Sequence, residues 1–276
     1  MPFRHFAIVP FVTCCFLAGC GTHSALNNDR VINVETDAEP AGFTVSSSMA
    51  GLLTATSPSY VTLTVAEERS RGRSDATSPG IAVTSGSGFA VDSHGNVLTA
   101  AHVAVKDGYS VTARASDGQL YSGKVVAVRP NNDMALIHLS DFDGKPVKPA
   151  SSTCLSPGAT VFSLGKPHAQ GDTARVGEVK AMSFGRAVSY SGYGYPDAMV
   201  LQMNTRKGES GGPVFNSSGE LSGMVVSTLS TGNGQPLNLA HAIPAATIAQ
   251  FLCSHSSCSA RWQSLAGQSP KDCPAG

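Results

Sequence analysis

From residue 80 onward the chain alternates short apolar runs with turn-forming residues. Ile81-Ala82-Val83, Gly88-Phe89-Ala90-Val91 and Val97-Leu98-Thr99 are β-prone pieces, separated by turns such as Asp92-Ser93-His94-Gly95-Asn96. Tyr109 to Ala113, Lys124 to Val128 and Ala135 to Leu139 continue the pattern, and Asp117-Gly118 is placed as a hairpin turn. Thr160 to Leu164, Val176 to Ser183, Met199 to Met203, Pro213 to Phe215 and Leu221 to Thr228 repeat it. No stretch between 80 and 240 sustains a 3.6-residue apolar period. Ala245 to Cys253 does: Pro244 opens it, and Ile248, Phe251 and Leu252 share a face. The pattern predicts an all-β barrel or sandwich closed by a short C-terminal helix.

The N-terminal part reads differently. Arg4 and His5 precede an apolar run from Phe6 to Leu17, too short to span a bilayer as a mature helix and built like an export signal. A buried N-terminal strand is the alternative. Gly21 to Ala41 is mostly polar or small, as expected of a tether. Tyr60 to Val65 is strand-like, and Glu67 to Pro79 is polar again, an exposed loop carrying Arg69, Arg71 and Arg73. The expected organisation is a signal over 1–19, a tether and N-terminal extension over 20–79 that can contribute a strand, a folded domain over 80–252 and a cysteine-containing tail over 253–276.

Of 276 residues 41% are hydrophobic and 14% charged, enough to bury a core. Nineteen basic against nineteen acidic residues leave no electrostatic footprint for nucleic acid. Leu17-Ala18-Gly19-Cys20 resembles a bacterial lipobox, which implies cleavage before Cys20, acylation of that cysteine and a mature chain held on a membrane face. Gly21 in place of Asp is similar to the pattern that sorts such proteins to the outer membrane. Ordinary secretion is the alternative. With Cys14 and Cys15 in the signal, Cys154, Cys253, Cys258 and Cys273 remain, an even number in a disulfide-permissive compartment, with three pairings open. Their spacing lacks the histidines and paired CxxC units of a zinc site, and no metal or organic cofactor is expected.

Three segments concentrate chemistry: Gly86 to Val91 with Val97 to Val103, Asn131 to Leu139, and Lys207 to Asn216. Thr99-Ala100-Ala101-His102, Asn132-Asp133-Met134-Ala135-Leu136 and Gly208-Glu209-Ser210-Gly211-Gly212-Pro213, in that order, resemble the chymotrypsin-like serine peptidases. The likeness is strongest to the bacterial HtrA/Deg-type and glutamyl-endopeptidase-like branches and covers roughly residues 80 to 250. It implies a double β-barrel with the site in the cleft between the barrels. It assigns His102 as general base, Asp133 as its orienting carboxylate, Ser210 as nucleophile, and the N–H groups of Gly208 and Ser210 as the oxyanion hole. Only 23 residues follow Cys253, too few for the PDZ module of HtrA-type relatives.

The chemistry agrees with the assignment. A serine hydroxyl needs a base to take its proton during attack, and histidine accepts and returns a proton near neutrality. A carboxylate fixes the imidazole tautomer. Gly208 and Gly211 let the chain turn tightly and aim successive N–H groups at one point.

The resemblance places the specificity pocket at Asn204, Thr205, Val225, Ser227 and Thr228. No Asp stands at position 204 to receive a Lys or Arg side chain, and Val225 replaces the histidine of glutamyl endopeptidases, which leaves a small or medium uncharged side chain as the preference. His138 reads as structural, His94 lies in a turn, and His241 is a further candidate for the cleft. Two other functions fit parts of the sequence. Gly208-Glu209-Ser210-Gly211-Gly212 satisfies the G-x-S-x-G elbow of esterases and lipases, but strand rather than helix follows it, and the downstream order of acid and histidine is wrong. An inactive peptidase-like binding module would not need all three residues. The expected partners are protein or peptide substrates in a bacterial cell envelope, with the membrane engaged through the N-terminal lipid.

Overall fold

The computed structural model describes residues 23–27, 30–36, 47–67, 81–168, 171–255 and 258–273. The signal segment and Cys20 lie outside the described residues. Along the chain, β1 (His23–Asn27) and β2 (Arg30–Thr36) form an antiparallel pair, followed by helix α1 (Ser47–Thr56). The first barrel then contains β3 (Tyr60–Glu67), β4 (Ile81–Ala90), β5 (Asn96–Thr99), the one-turn helix α2 (Ala101–Ala104), β6 (Ser110–Ala115), β7 (Leu120–Arg129) and β8 (Met134–Leu139). Its six strands close in the order β3-β4-β5-β8-β7-β6.

The second half contains β9 (Thr160–Gly165), β10 (Thr173–Ala181), a hairpin of β11 (Val188–Tyr190) and β12 (Tyr193–Tyr195), and then β13 (Met199–Gln202), β14 (Pro213–Asn216), β15 (Leu221–Ser230) and β16 (Pro236–Pro244). The order β10-β13-β16-β15-β14-β9, with β9 also paired to β10, closes a second six-stranded ring. The fold is therefore the double β-barrel expected from the sequence. It is followed by α3 (Ala245–His255), which buries Ile248, Phe251 and Leu252, and by α4 (Ala260–Ala266).

Period-two burial explains the strands. In β3, Val61, Leu63 and Val65 face the core while Thr64 is exposed. Strand β8, paired on both edges, is buried throughout except at His138. Aromatic packing fills the second barrel, where Phe162 and Phe215 have ring centroids 5.3 Å apart. The Asp117-Gly118 hairpin turn is present, with Gly118 at φ 85° and the Asp117 carboxylate accepting the Gln119 N–H at 2.9 Å.

The N-terminal extension contributes a strand: the first barrel begins at Tyr60, because β3 pairs with both β4 and β6 and the ring does not close without it. Two expectations need correction. Residues 23–27 and 30–36 lie in the stretch read as polar tether, yet they carry strands; Ile32 and Val34 are each 2% exposed, and β2 adds in parallel to β10. The alternation in Arg30 to Thr36 is the signal that the overall polarity of the segment obscured. Helix is also not confined to α3: α1 buries Met49 and Leu53, and α4 buries Trp262 and Leu265.

The four C-terminal-half cysteines form two disulfides, Cys154–Cys273 and Cys253–Cys258. Among the described residues no helix is long and apolar enough to cross a membrane.

Candidate active site

His102 lies on α2, directly after β5, and Asp133 closes the 3₁₀ turn Pro130–Asn132 before β8. Strands β5 and β8 pair with Thr99 opposite Ala135, so both side chains emerge at the same end of the first barrel. Asp133 takes a left-handed conformation, φ 44°, which Asp tolerates better than most residues. It is fully buried. Its Oδ1 accepts the His102 backbone N–H at 3.0 Å, and His102 Nδ1 lies 3.0 Å from Oδ1 and 2.9 Å from Oδ2. A buried acceptor on Nδ1 places the ring proton there and leaves Nε2 with a free lone pair.

Sequence reasoning missed the next residue. Tyr190, from the β11–β12 hairpin, donates its hydroxyl hydrogen bond to Asp133 Oδ2, and the Tyr190 hydroxyl oxygen is 3.2 Å from His102 Nδ1. Tyr190 and Tyr193 meet the imidazole edge-on, at 5.8 and 6.2 Å between centroids. Burial first, and then the negative Asp133, push the Tyr190 phenol far above its ordinary range, so the hydroxyl keeps its proton and stays a donor. A cluster of tyrosines at 190, 193 and 195 resembles ordinary strand composition, and nothing local ties it to position 133.

Ser210 stands on the loop between β13 and β14, and that loop is fastened to the first barrel. Ser87 of β4 is the fastening: its N–H donates to the Ser210 carbonyl at 2.9 Å and its hydroxyl to the Gly208 carbonyl at 2.8 Å. Thr99 in turn donates its hydroxyl to the Ser87 carbonyl at 2.7 Å. Gly211 has φ 83°, and a Cβ there would stand 2.2 Å from the Ser87 carbonyl oxygen and 3.1 Å from the Ala100 nitrogen. The Ser210 loop thus presses on the strand end that leads into His102. Among the described residues no hydrogen bond joins Ser210 Oγ to His102; in ligand-free sites such contacts are often long and tighten only with substrate.

Gly208 has φ 99°, and a Cβ on it would meet the Lys166 carbonyl oxygen at 2.3 Å. The Lys207 carbonyl accepts the His168 N–H at 3.0 Å. In a planar trans peptide the Gly208 N–H then points the opposite way. Among the described residues neither the Gly208 nor the Ser210 N–H has a protein acceptor.

Between them sits Glu209, 2% exposed, whose carboxylate takes the Arg175 Nε at 2.6 and 2.8 Å and the Arg206 N–H at 2.5 Å. Burial pushes the Glu209 carboxyl up from its ordinary range, with Arg175 and the Arg206 N–H opposing. Burial also works against the Arg175 charge, but Glu209 and Glu35 outweigh it and hold the guanidinium charged.

The residues expected to form a specificity pocket divide. Thr205 and Thr228 hydroxyls meet at 2.8 Å, and Ser227 bonds the Tyr195 hydroxyl at 2.8 Å. Asn204 precedes Thr205 after the end of β13. Val225 is buried beneath the Ser210 loop, its carbonyl accepting the Gly211 N–H and its own N–H donating to the Gly212 carbonyl. His241 is 3% exposed, 2.8 Å from the Tyr195 hydroxyl through Nδ1, and burial lowers its pKa to about 4.

A family model described as trypsin-like peptidase domain matches residues 86–224. A protein of Brucella suis biovar 1 described as "Probable periplasmic serine endoprotease DegP-like" is 32% identical over 186 residues, covering 66% of this chain and 35% of that one. The chain spans about a third of the length of the curated relatives it matches first. Among solved structures, the active form of the Rv3671c protease from M. tuberculosis superposes with a TM-score of 0.61 at 23% identity, covering 82% of this chain and 91% of that one. The HtrA-type protease AlgW with tripeptide gives a TM-score of 0.62 at 20% identity, covering 74% and 62%. At these identities the two structures show the shared fold. The family match spans the segments that contain His102, Asp133 and Ser210, and with it this chain belongs to the trypsin-like peptidase domain family.

Proposed function

We propose that this protein is a serine endopeptidase of the bacterial cell envelope, cleaving exported proteins or peptides through an acyl-enzyme. The observation that carries the reading is the Asp133 carboxylate gripping both the backbone N–H and the ring Nδ1 of His102, beside a nucleophile loop fastened to the same strand end. That grip directs Nε2 toward substrate as the base. Ser210 Oγ attacks the scissile carbonyl carbon and its proton passes to His102 Nε2. The tetrahedral oxygen, now negative, accepts hydrogen bonds from the Gly208 and Ser210 N–H groups. Collapse breaks the C–N bond, and His102 returns its proton to the leaving amine. Water, deprotonated by the same imidazole, hydrolyses the ester and restores Ser210. An oxyanion-hole donor of this type contributes about 3 kcal/mol to transition-state stabilisation.

The hydroxyls of Thr205, Ser227 and Thr228, with Asn204, line the substrate side-chain site in this reading, and a small or medium uncharged residue precedes the cleaved bond. Residues 1–19 act as the export signal, and Cys20 carries the lipid that tethers the chain, through residues 20–79, to the outer membrane. The likeness to the Brucella relative, described as a probable periplasmic endoprotease, supports the compartment.

A fluorophosphonate probe tests the chemistry. Wild-type protein is expected to label at Ser210, and Ser210→Ala and His102→Ala to lose labelling. Wild-type protein that folds but neither labels nor cleaves a peptide library would refute the proposal. Selection for Arg, Lys or Glu before the cut would overturn the specificity assignment alone.

A further inference from the structure

The Glu209 carboxylate is flanked in sequence by the two residues whose N–H groups face the reaction, yet it points away from solvent into the second barrel. Its stem is packed without slack: a Cβ on Gly165 would stand 2.8 Å from Glu209 Cγ and 3.1 Å from its Cα. Its oxygens are held by Arg175 of β10, a fully buried arginine. Arg175 has a second acidic partner, Glu35, whose Oε2 accepts Nη1 at 2.5 Å. Glu35 belongs to β2, and the parallel register places it directly opposite Arg175. The remaining guanidinium nitrogen, Nη2, is buried and has no hydrogen-bond partner among the described residues.

The arrangement is a relay. A strand that lies outside both barrel rings fixes an arginine, the arginine fixes a carboxylate, and the carboxylate fixes the backbone on which Gly208 and Ser210 sit. The Glu209 N–H donates to the Arg206 carbonyl at 3.1 Å while its side chain takes the Arg206 N–H, so loop and carboxylate cannot reorient independently. Without Glu35, both Nη groups of a buried guanidinium would lack acceptors, a state that favours rotation of the arginine toward water and away from Glu209. Tilting the Glu209 peptide units by a fraction of an ångström would misdirect two N–H groups at once.

We infer that Glu35 is a positioning residue for the reaction: the N-terminal strand, acting through Arg175, holds the Glu209 carboxylate and so keeps the Gly208 and Ser210 N–H groups aimed at the developing oxyanion. The inference rests on the peptidase reading of Ser210, and it gives the N-terminal extension a part in catalysis as well as any part in tethering. Loss or displacement of β2 would therefore quench the enzyme without touching His102, Asp133 or Ser210.

The test compares wild type, Glu35→Ala and Glu35→Gln in the mature chain. Each is followed by fluorophosphonate labelling rate, peptide kcat and KM, circular dichroism, and amide hydrogen exchange at Glu209, Gly211 and Gly212. Glu35→Ala is expected to slow labelling and kcat by roughly tenfold or more while KM stays within about twofold, the mark of an interaction used in the transition state. Glu35→Gln, which keeps an acceptor for Nη1 but not the charge, should fall between. Exchange at the three loop amides should quicken in Glu35→Ala while strands of the first barrel keep wild-type protection. A Glu35→Ala protein that labels at the wild-type rate overturns the inference. So does one whose lost activity matches the fraction unfolded. If wild type itself does not label, the peptidase reading fails; unchanged exchange at the loop amides would then refute the relay separately.

Discussion

Tyr190 reaches Asp133 from the β11–β12 hairpin, and its hydroxyl is the one side-chain donor from that hairpin to the buried carboxylate among the hydrogen bonds of the described residues. A hydrogen bond to a charged group contributes about 1.5–3 kcal/mol, so Tyr190→Phe should lower kcat/KM by roughly tenfold or more while leaving the fold intact. Steady-state kinetics on a cleaved peptide would show it, and an unchanged rate would reduce Tyr190 to packing. His241 makes a separate prediction, about pH. Its folded pKa of about 4 lies below the ordinary value of 6.5, so between those limits the unfolded chain binds a proton that the native protein refuses. Stability from this group is therefore complete above pH 6.5 and lost as pH falls toward 4, by up to about 3 kcal/mol. Urea midpoints measured across that window should decline more steeply for wild type than for His241→Phe; parallel curves would refute the assignment.

At the scale of elements, the joining segment between the barrels and the C-terminal tail act together through Cys154–Cys273, a bridge across 119 positions. Closing a loop of that length removes as much as about 5 kcal/mol of denatured-state entropy, an upper bound in the chain-entropy account. Replacing both cysteines by serine should lower the thermal midpoint by roughly 10 °C. The Cys253–Cys258 bridge closes a separation of only five positions and should matter less. A calorimetric scan of the two double variants decides the order.

Much of this element layer was legible in the chain. Period two over Tyr60 to Val65 and the apolar run Ala135 to Leu139 marked strands, and Pro244 before an Ile248, Phe251 and Leu252 face marked α3. Strand β2 was not, because two buried aliphatics amid polar neighbours are a weak signal until β10 is there to pair with them. Which cysteines join was likewise beyond the sequence, since all three pairings satisfy its spacing equally.

For the whole molecule, the proposed Cys20 acylation makes location a measurable property. Cys20→Ser should move the protein from the membrane pellet to the soluble fraction and abolish incorporation of a fatty-acid analogue, because stable anchoring requires buried acyl chain. Retention on the membrane with no incorporated lipid would overturn the tether.

Local chemistry along the chain, read alone, determined the β class, the closing helix and the order of histidine, aspartate and serine segments, because strand periodicity, turn glycines and motif spacing are short-range properties. Only the tertiary structure decided that Tyr190 covers Asp133, that Ser87 fastens the Ser210 loop to the first barrel, and that Glu35 reaches Glu209 through Arg175. Those contacts join residues 34 to 140 positions apart. Partners so distant are chosen by how the closed rings, the hairpin and the added strand pack together, and no local pattern encodes that choice.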